Sequence, residues 1–335
     1  MDAAGSKDRV NLPSFPDISI AAQRLVGIIR HTPLLESPIV NKKLEAKIFF
    51  KLESKQRTGS FKIRGAYNRI SQIPLETRSR NIVAFSSGNH AQAVAAVSKI
   101  LSFKATIVMP EDAPKIKISA TRKYDAKIVF YNRLTQKRED IARSLIAENG
   151  GTLVPPFDHP LVIAGQGTIG LEISKQLGAL NSKPHVLLVP CSGGGLVSGI
   201  AIAIKHKFKQ AKIYSVEPAG YDDTAQSLKS GTREVLSEFK PSICDALLVP
   251  TPGKLTFRIN QRLLSGGLVV TDSAVENAMR FAHKFLGQTL EPSGCAALAA
   301  LLENIEKFRK KTVVVVLSGK NVDSQFFAKI LNERI

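Results

Sequence analysis

The chain has 335 residues and a formal net charge of +19 at pH 7, with 44% hydrophobic and 22% charged residues. This composition is typical of a folded globular protein, and no apolar run approaches the roughly 20 residues that a membrane-spanning helix requires, which excludes a membrane protein. The basic residues are scattered along the whole chain, and the sequence has no Trp and only five Tyr, a pattern that argues against a nucleic-acid partner. The positive net charge still favours anionic substrates.

The amino-terminal segment and the cysteines predict a cytoplasmic protein. The first 15 residues are polar and lack the apolar centre of a secretory signal. Cys191, Cys244 and Cys295 are few and widely spaced, so that neither a disulfide framework nor a zinc cluster is expected.

Short apolar runs recur along the chain, and helical patterns follow most of them. These runs lie at 47–53, 81–87, 105–110, 126–131, 185–190, 211–218, 246–250 and 312–319. Because the runs lack strict alternation, they are typical of strands that are covered on both faces. The alternation of strands and helices predicts an α/β fold with two open parallel sheets wrapped by helices.

The strands fall into two groups, which predict two domains. Residues 84–157 hold one group and end at the proline-rich sequence VPPFDHP. We expect this segment to form a small mobile domain that binds substrate. Residues 1–83 and 158–335 are then expected to form one large domain.

A glycine-rich turn predicts a phosphate site. An apolar strand ends in Ser192, Gly193, Gly194 and Gly195, and a helix begins at about Leu196. Glycines let backbone N–H groups approach an anion closely, and the start of a helix adds its dipole. The absence of a following Lys-Ser/Thr pair excludes a Walker nucleotide loop.

A second glycine pattern, at Gly165, Gly167 and Gly170, has the spacing of a dinucleotide-binding fingerprint. Little strand precedes it and no suitably placed acidic residue follows, so we interpret this segment as a packed helix. A nicotinamide-dependent dehydrogenase is therefore a distant alternative.

Three further segments offer polar groups at predicted turns. Residues 86–90 follow a strand and precede a helix, a turn that suits a carboxylate, although a single N-capping serine would explain it too. Ser318 ends the most apolar strand, at the edge where open α/β sheets bind ligands. Glu217 and Asp223 flank a turn and either hold a hard cation or are simply solvated.

Lys62 lies between Phe61 and Ile63, and an amine in such apolar surroundings suits covalent chemistry. Together with a phosphate cradle and a turn that suits a carboxylate, it favours pyridoxal phosphate over other common cofactors. The lysine would hold the cofactor aldehyde as a Schiff base.

At these positions the sequence resembles the fold-type II pyridoxal-phosphate enzymes of the threonine dehydratase and serine racemase group, whose fold is that of the tryptophan synthase beta subunit. The resemblance spans nearly the whole chain. The motifs that carry it are HTPL (31–34), SFKIRGA (60–66), SSGNHAQ (86–92), PPFDHPLVIAGQGTIGLE (155–172), SGGGL (192–196), EPAGYDD (217–223), EPSG (291–294) and LSGKN (317–321).

The resemblance implies roles for individual residues. Lys62 forms the Schiff base and then moves the Cα proton, and Ser87 is the second catalytic candidate because the matching hydroxyl of racemases protonates the opposite face. The implied cofactor contacts are Phe61, Lys62, Asn89, Ser192, Gly193, Gly194, Gly195, Leu196 and Ser318. The implied substrate contacts are Ser86, Ser87, Gly88, Asn89 and His90.

The resemblance also implies a divalent-cation site, for Mg²⁺ or Ca²⁺, at Glu217, the carbonyl of Tyr221 and Asp223.

Two departures from the family pattern concern the cofactor site. Ser192 replaces the first glycine of the phosphate loop, and Lys320 replaces the second glycine of the family's SGGN sequence. Phe157 matches dehydratases, whereas animal racemases carry Asn.

We therefore expect a pyridoxal-phosphate-dependent β-elimination that converts L-threonine or L-serine to a 2-oxo acid and ammonia. The alternatives are a serine racemase with dehydratase side activity, a 3-hydroxyaspartate dehydratase, or a cofactor-binding regulator without turnover. Because the chain ends soon after the last strand, we expect a short form without the regulatory domain of isoleucine-inhibited enzymes. By resemblance, the expected assembly is a homodimer.

Overall fold

A computed structural model describes residues 11–77, 81–238 and 240–333. Its strands are β1 (Leu34–Glu36), β2 (Lys47–Leu52), β3 (Ile82–Phe85), β4 (Ala105–Pro110), β5 (Lys127–Tyr131), β6 (Thr152–Leu153), β7 (Val186–Pro190), β8 (Lys212–Pro218), β9 (Gly266–Val270) and β10 (Thr312–Leu317). Its α-helices are α1 (Phe15–Arg24), α2 (Pro38–Leu44), α3 (Lys62–Ile70), α4 (Asn89–Ile100), α5 (Lys115–Arg122), α6 (Arg138–Asn149), α7 (Pro160–Ala179), α8 (Gly195–Lys207), α9 (Asp223–Ser230), α10 (Lys254–Leu263), α11 (Asp272–Leu286), α12 (Pro292–Glu303), α13 (Ile305–Phe308) and α14 (Ser324–Asn332). Within these ranges, no helix is long and apolar enough to cross a bilayer.

The larger sheet has six strands in the order β1-β2-β10-β7-β8-β9. All neighbours are parallel except β1 and β2. The central strand β10 pairs Val314 with Phe49 on one side and with Leu187 on the other. Residues 313–317 are completely buried, because helices cover both faces of the sheet, which explains why the sequence shows no alternation.

The smaller sheet has four parallel strands in the order β5-β4-β3-β6. Its strands all lie between Ile82 and Leu153, and α3 and α4 pack together in the apolar core beside it. The α/β fold with two mostly parallel sheets is thus confirmed. The division at residues 84 and 157 into a mobile and a fixed domain stays a prediction.

One predicted strand is wrong. Residues 246–250 form an irregular segment rather than a strand. The segment is apolar because Leu247 packs into the core beneath it while its neighbours line a pocket. Conversely, strand β9 was not predicted, since it begins with two glycines, one of which lies close against Ala225.

The glycines of α7 serve helix packing, as predicted. A Cβ atom on Gly165 would lie 2.7 Å from the carbonyl oxygen of Arg64, and one on Gly167 would lie 2.9 Å from the carbonyl oxygen of Gly199. Helices α3 and α8 therefore approach α7 more closely than any side chain would allow. The dinucleotide-binding interpretation of this pattern is excluded by its position inside a 20-residue helix.

A buried ion-pair network anchors the start of α3. Arg64 pairs with Glu53 at 2.8 Å and with Glu172 at 2.7 Å, and Lys51 pairs with Glu172 at 2.6 Å. Two cations and two carboxylates balance each other, so each buried charge has partners. The network joins strand β2, helix α3 and helix α7, and it fixes the helix that begins with Lys62.

Candidate active site

A single pocket collects the predicted cofactor and substrate residues. It opens at the carboxyl ends of strands β3, β7 and β10, the edge at which open α/β sheets bind ligands. Its lining includes Phe61, Lys62, Ser86, Ser87, Gly88, Asn89, His90, Ser192, Gly193, Gly194, Gly195, Leu196 and Ser318. The predicted cation ligands Glu217, Tyr221 and Asp223 lie outside this lining.

Lys62 presents its amine inside the pocket. A bridge between Ser60 and Gly319 and the hydrogen bond from the Phe61 amide to the carbonyl of Ser318 hold the chain before it. The Nζ atom donates a hydrogen bond of 2.9 Å to the carbonyl of Pro156. Burial lowers the pKa of Lys62 to about 8, because desolvation disfavours the charged amine. The neutral, nucleophilic form is therefore accessible near neutral pH.

The turn from β7 to α8 forms an anion cradle. Gly194 has a φ of +93° and precedes the first residue of α8, so its neighbours' amides face the pocket at a helix start. A Cβ atom on Gly194 would lie 2.9 Å from Thr256, whose hydroxyl donates 2.6 Å to the carbonyl of Gly193. The buried hydroxyl of Ser192 has no hydrogen-bond partner among the residues that the structure describes. These features fit a phosphate group, with Ser192 supplying an additional donor.

The turn from β3 to α4 also lines the pocket, and its groups suit an anion. Residues 86–90 place two half-buried hydroxyls and the start of α4 at the pocket. The Ser86 hydroxyl accepts a hydrogen bond of 3.1 Å from the Gly88 amide. His90 donates from Nε2 to the carbonyl of Val154 at 2.9 Å, and burial lowers its pKa to about 3. His90 is therefore a neutral structural donor rather than a base at neutral pH.

Asn89 lies in a hydrogen-bond network that sequence reasoning missed. Its Nδ2 donates 2.7 Å to Glu291, and its Oδ1 accepts 2.7 Å from Asn321. Glu291 also pairs with the buried Lys117, which pairs with Asp245 as well. The motifs containing Glu291 and Asn321 were recognised, but nothing in the sequence indicates that they contact Asn89 or Lys117.

The side chain at the Lys320 departure lies outside the pocket lining. Ser318 directly follows β10 and lines the pocket. The side chain of Lys320 is exposed and absent from the lining, while its backbone amide donates 2.9 Å to the carbonyl of Gly59. The extra charge therefore lies outside the site.

Glu217 and Asp223 come together between strand β8 and helix α9, both completely buried. Glu217 accepts backbone hydrogen bonds of 2.9 and 2.8 Å from Thr224 and Ala225. Within the described part of the chain, both carboxylate oxygens of Asp223 lack a hydrogen-bond partner. Burial raises the pKa of Asp223 to about 8, and burial together with the charge of Asp223 also raises the pKa of Glu217. Two buried carboxylates, of which Asp223 has both oxygens unpaired, fit a hard divalent cation.

Two arginines at the pocket mouth were also missed. Arg133 follows strand β5 and pairs with Asp112 at 2.8 Å. Arg138 begins helix α6, with its guanidinium 5.1 Å from the ring centre of Phe85 and its Nε 2.9 Å from Glu139. Both line the pocket beyond the turn at 86–90. The segment YNRLTQKRED is an unremarkable charged loop in the sequence, so its position at the site could be seen only in the fold.

Comparisons with known proteins agree with this geometry. A family described as pyridoxal-phosphate dependent enzyme matches residues 25–319. The chain is 41% identical to L-threo-3-hydroxyaspartate ammonia-lyase of Saccharomyces cerevisiae, over 96% of this chain and 97% of the relative. It is 37% identical to serine racemase of Schizosaccharomyces pombe, over 97% and 99%. The crystal structure of a T.th. threonine deaminase superposes with a TM-score of 0.88 at 38% identity, over 93% and 99%.

Proposed function

Because the chain belongs to the pyridoxal-phosphate-dependent enzymes, we propose that it catalyses β-elimination of a small β-hydroxy amino acid, such as L-threonine or L-serine, to a 2-oxo acid and ammonia. The observation that carries this proposal is the convergence of a desolvated lysine and two anion sites on one pocket. Similar proteins named as ammonia-lyases, a threonine deaminase and a serine racemase support this reaction class.

The pocket residues fit the cofactor. The orphaned hydroxyl of Ser192 and the crowded Gly194 make the turn at 192–196 suitable for its phosphate. Asn89 and Ser318 would contact the phenolic oxygen and the pyridine nitrogen, respectively. A neutral hydroxyl such as that of Ser318 leaves a pyridine nitrogen largely unprotonated, which favours elimination over fuller carbanion chemistry. When bound, pyridoxal phosphate supplies an aldehyde that bonds amines and a ring that accepts the electrons of the Cα–H bond.

The protein's own groups supply binding and proton transfer. The turn at 86–90 would hold the substrate carboxylate through its hydroxyls and the start of α4. Lys62 would then accept the Cα proton at Nζ, a task that its lowered pKa suits. Phe61 and Phe157 line the pocket around this amine and limit its access to water.

Two alternatives have specific support. Arg133 and Arg138 place two guanidinium groups at the pocket mouth, where a substrate with a second carboxylate, such as 3-hydroxyaspartate, would meet them. The half-buried hydroxyl of Ser87 lines the same pocket, which keeps serine racemisation open. The relatives named above include one protein of each kind.

The cation, the assembly and the location belong to the same proposal. Glu217, the Tyr221 carbonyl and Asp223 would bind Mg²⁺ or Ca²⁺, for which the unpaired oxygens of Asp223 are the support. We also propose a cytoplasmic homodimer.

A paired assay tests the reaction. The purified protein, supplied with pyridoxal phosphate, receives L-threonine, L-serine or L-threo-3-hydroxyaspartate, and both 2-oxo acid and D-isomer are measured. We expect 2-oxo acid as the main product of at least one substrate. D-serine as the main product would support the racemase, and no product from any substrate would contradict the proposal.

A further inference from the structure

Lys117 is a buried cation with no place in the chemistry described so far. It lies on helix α5, which connects strands β4 and β5 of the smaller sheet, and only 3% of its side chain is exposed. Its Nζ is 2.6 Å from Asp245 and 3.0 Å from Glu291, and both carboxylates belong to segments beside the larger sheet. A Cβ atom on Gly88 would overlap its Cδ atom, so the lysine stem lies directly behind the turn at 86–90.

The hydrogen bonds around Asn89 fix which end of its side-chain amide is the nitrogen and which is the oxygen. The carbonyl of Thr58 can only accept, so the Asn321 atom 3.0 Å from it must be the amide nitrogen. This nitrogen also lies 2.7 Å from Asn89 and 3.1 Å from the side-chain oxygen of Gln92, and since an amide nitrogen cannot accept, the Asn89 atom facing it must be the oxygen. This places the nitrogen of Asn89 toward Glu291, which accepts one of its two hydrogens. Among the described residues, the other hydrogen has no protein acceptor and remains for the pocket that Asn89 lines.

Glu291 accepts the hydrogen bond from Asn89 with both of its oxygens available as acceptors only when it is an ionised carboxylate. Burial raises its pKa, and the charge of Lys117 is the main influence in the opposite direction. Lys117 itself stays charged: burial opposes its charge, but Glu291 and Asp245 more than compensate and raise its pKa. Without the lysine, a protonated Glu291 would become a donor and compete for the orientation of the Asn89 amide.

We propose that Lys117 is a positioning residue for the cofactor: it holds Glu291 as an acceptor and thereby directs the amide nitrogen of Asn89 toward the phenolic oxygen. Since Lys117 also backs Gly88, the same contact fixes the substrate turn against the larger sheet. The inference rests on the proposed function through the role of Asn89.

The test measures pyridoxal phosphate binding to the cofactor-free full-length protein, by calorimetry and by the visible absorbance of the lysine Schiff base. Lys117→Met should weaken binding about tenfold, the size of one charge-assisted hydrogen bond, and should shift the pH dependence of the absorbance. Lys117→Arg, which keeps the charge, should restore most of the affinity. Lys115→Met, an exposed lysine on the same helix, should change neither readout.

Unchanged affinity and absorbance in a folded Lys117→Met protein would overturn the inference. If that variant does not fold, two double variants that lack the buried ion pair test the inference instead. Lys117→Met combined with Glu291→Gln keeps an acceptor for Asn89, whereas the combination with Glu291→Leu does not. The first should bind the cofactor about tenfold more tightly, and equal affinities would contradict the inference. Normal cofactor binding without 2-oxo acid from any substrate would refute the proposed function alone.

Discussion

The Nζ atom of Lys62 donates its hydrogen bond to the carbonyl oxygen of Pro156, the residue immediately before Phe157. The Phe157 ring in turn occupies the space that a Cβ atom on Gly193 would need. The segment at 156–157 therefore contacts both the amine and the phosphate turn. One short stretch of chain thus lies against both the amine that would bond the cofactor's aldehyde and the turn that would hold its phosphate.

Replacing Lys62 removes the amine that would bond the cofactor and move the Cα proton. We expect Lys62→Ala to abolish the Schiff-base absorbance and to lower 2-oxo acid release by roughly 10³-fold or more. Absorbance spectra and steady-state rates measure these effects, and circular dichroism checks the fold. Retention of the visible absorbance would show that another amine bonds the cofactor and would refute the assignment.

The lowered pKa of Lys62 also predicts how stability depends on pH. Between pH 8 and about 10.5, the folded cofactor-free protein carries this amine neutral while the unfolded chain carries it charged. The unfolded state then binds more protons, so this group makes the free energy of unfolding rise with pH across that window. Urea unfolding of the wild type and of Lys62→Met at several pH values isolates the contribution. A difference between the two curves that is flat from pH 8 to 10.5 would contradict the shift.

The arginines predict a selective effect on dicarboxylate substrates. Arg133→Ala and Arg138→Ala should each raise the KM for L-threo-3-hydroxyaspartate about tenfold or more, because a charge-assisted contact is lost, while leaving L-serine turnover nearly unchanged. Arg143→Ala is the matched control, since Arg143 lies on helix α6 together with Arg138 but outside the pocket lining. Equal losses with both substrates would mean that the arginines support the fold rather than select the substrate.

Local sequence predicts the fold well, and it indicates the turns that line the pocket, for physical reasons. The apolar residues 313–317 of the central strand have both faces covered, and the positive φ of Gly194 requires glycine at the start of its helix. The strand predicted at 246–250 was wrong because a loop over the core can be as apolar as a strand. The contacts of Lys117 with Glu291 depend on how the two sheets pack together, and no short-range pattern encodes such a contact.

Ser87 distinguishes elimination from racemisation. If its hydroxyl protonates the opposite face of the substrate, Ser87→Ala should abolish D-serine formation and leave pyruvate release within about threefold, because Lys62 is untouched. Chiral chromatography and a 2-oxo acid assay measure both products from one reaction. Equal loss of the two products would refute the facial assignment and indicate that Ser87 binds the substrate carboxylate instead.

The buried carboxylates predict a cation-dependent stability with a definite pH sign. Because burial raises the pKa of Asp223 to about 8, a proton competes with the cation below that pH. Mg²⁺ or Ca²⁺ should therefore raise the melting temperature more at pH 8.5 than at pH 6.5, and a cation at 100 times its Kd adds about 2.7 kcal/mol. A chelator should reverse the increase.

Asp223→Asn separates the cation from the fold. At pH 8.5 without added cation, where Asp223 ionises beside Glu217, this variant should melt above the wild type because it removes a buried charge, and it should no longer respond to cation. Asp222→Asn keeps the unpaired oxygens of Asp223 and should respond as the wild type does. An identical melting temperature with chelator and with cation, at both pH values, would show that the two carboxylates share a proton rather than a metal ion.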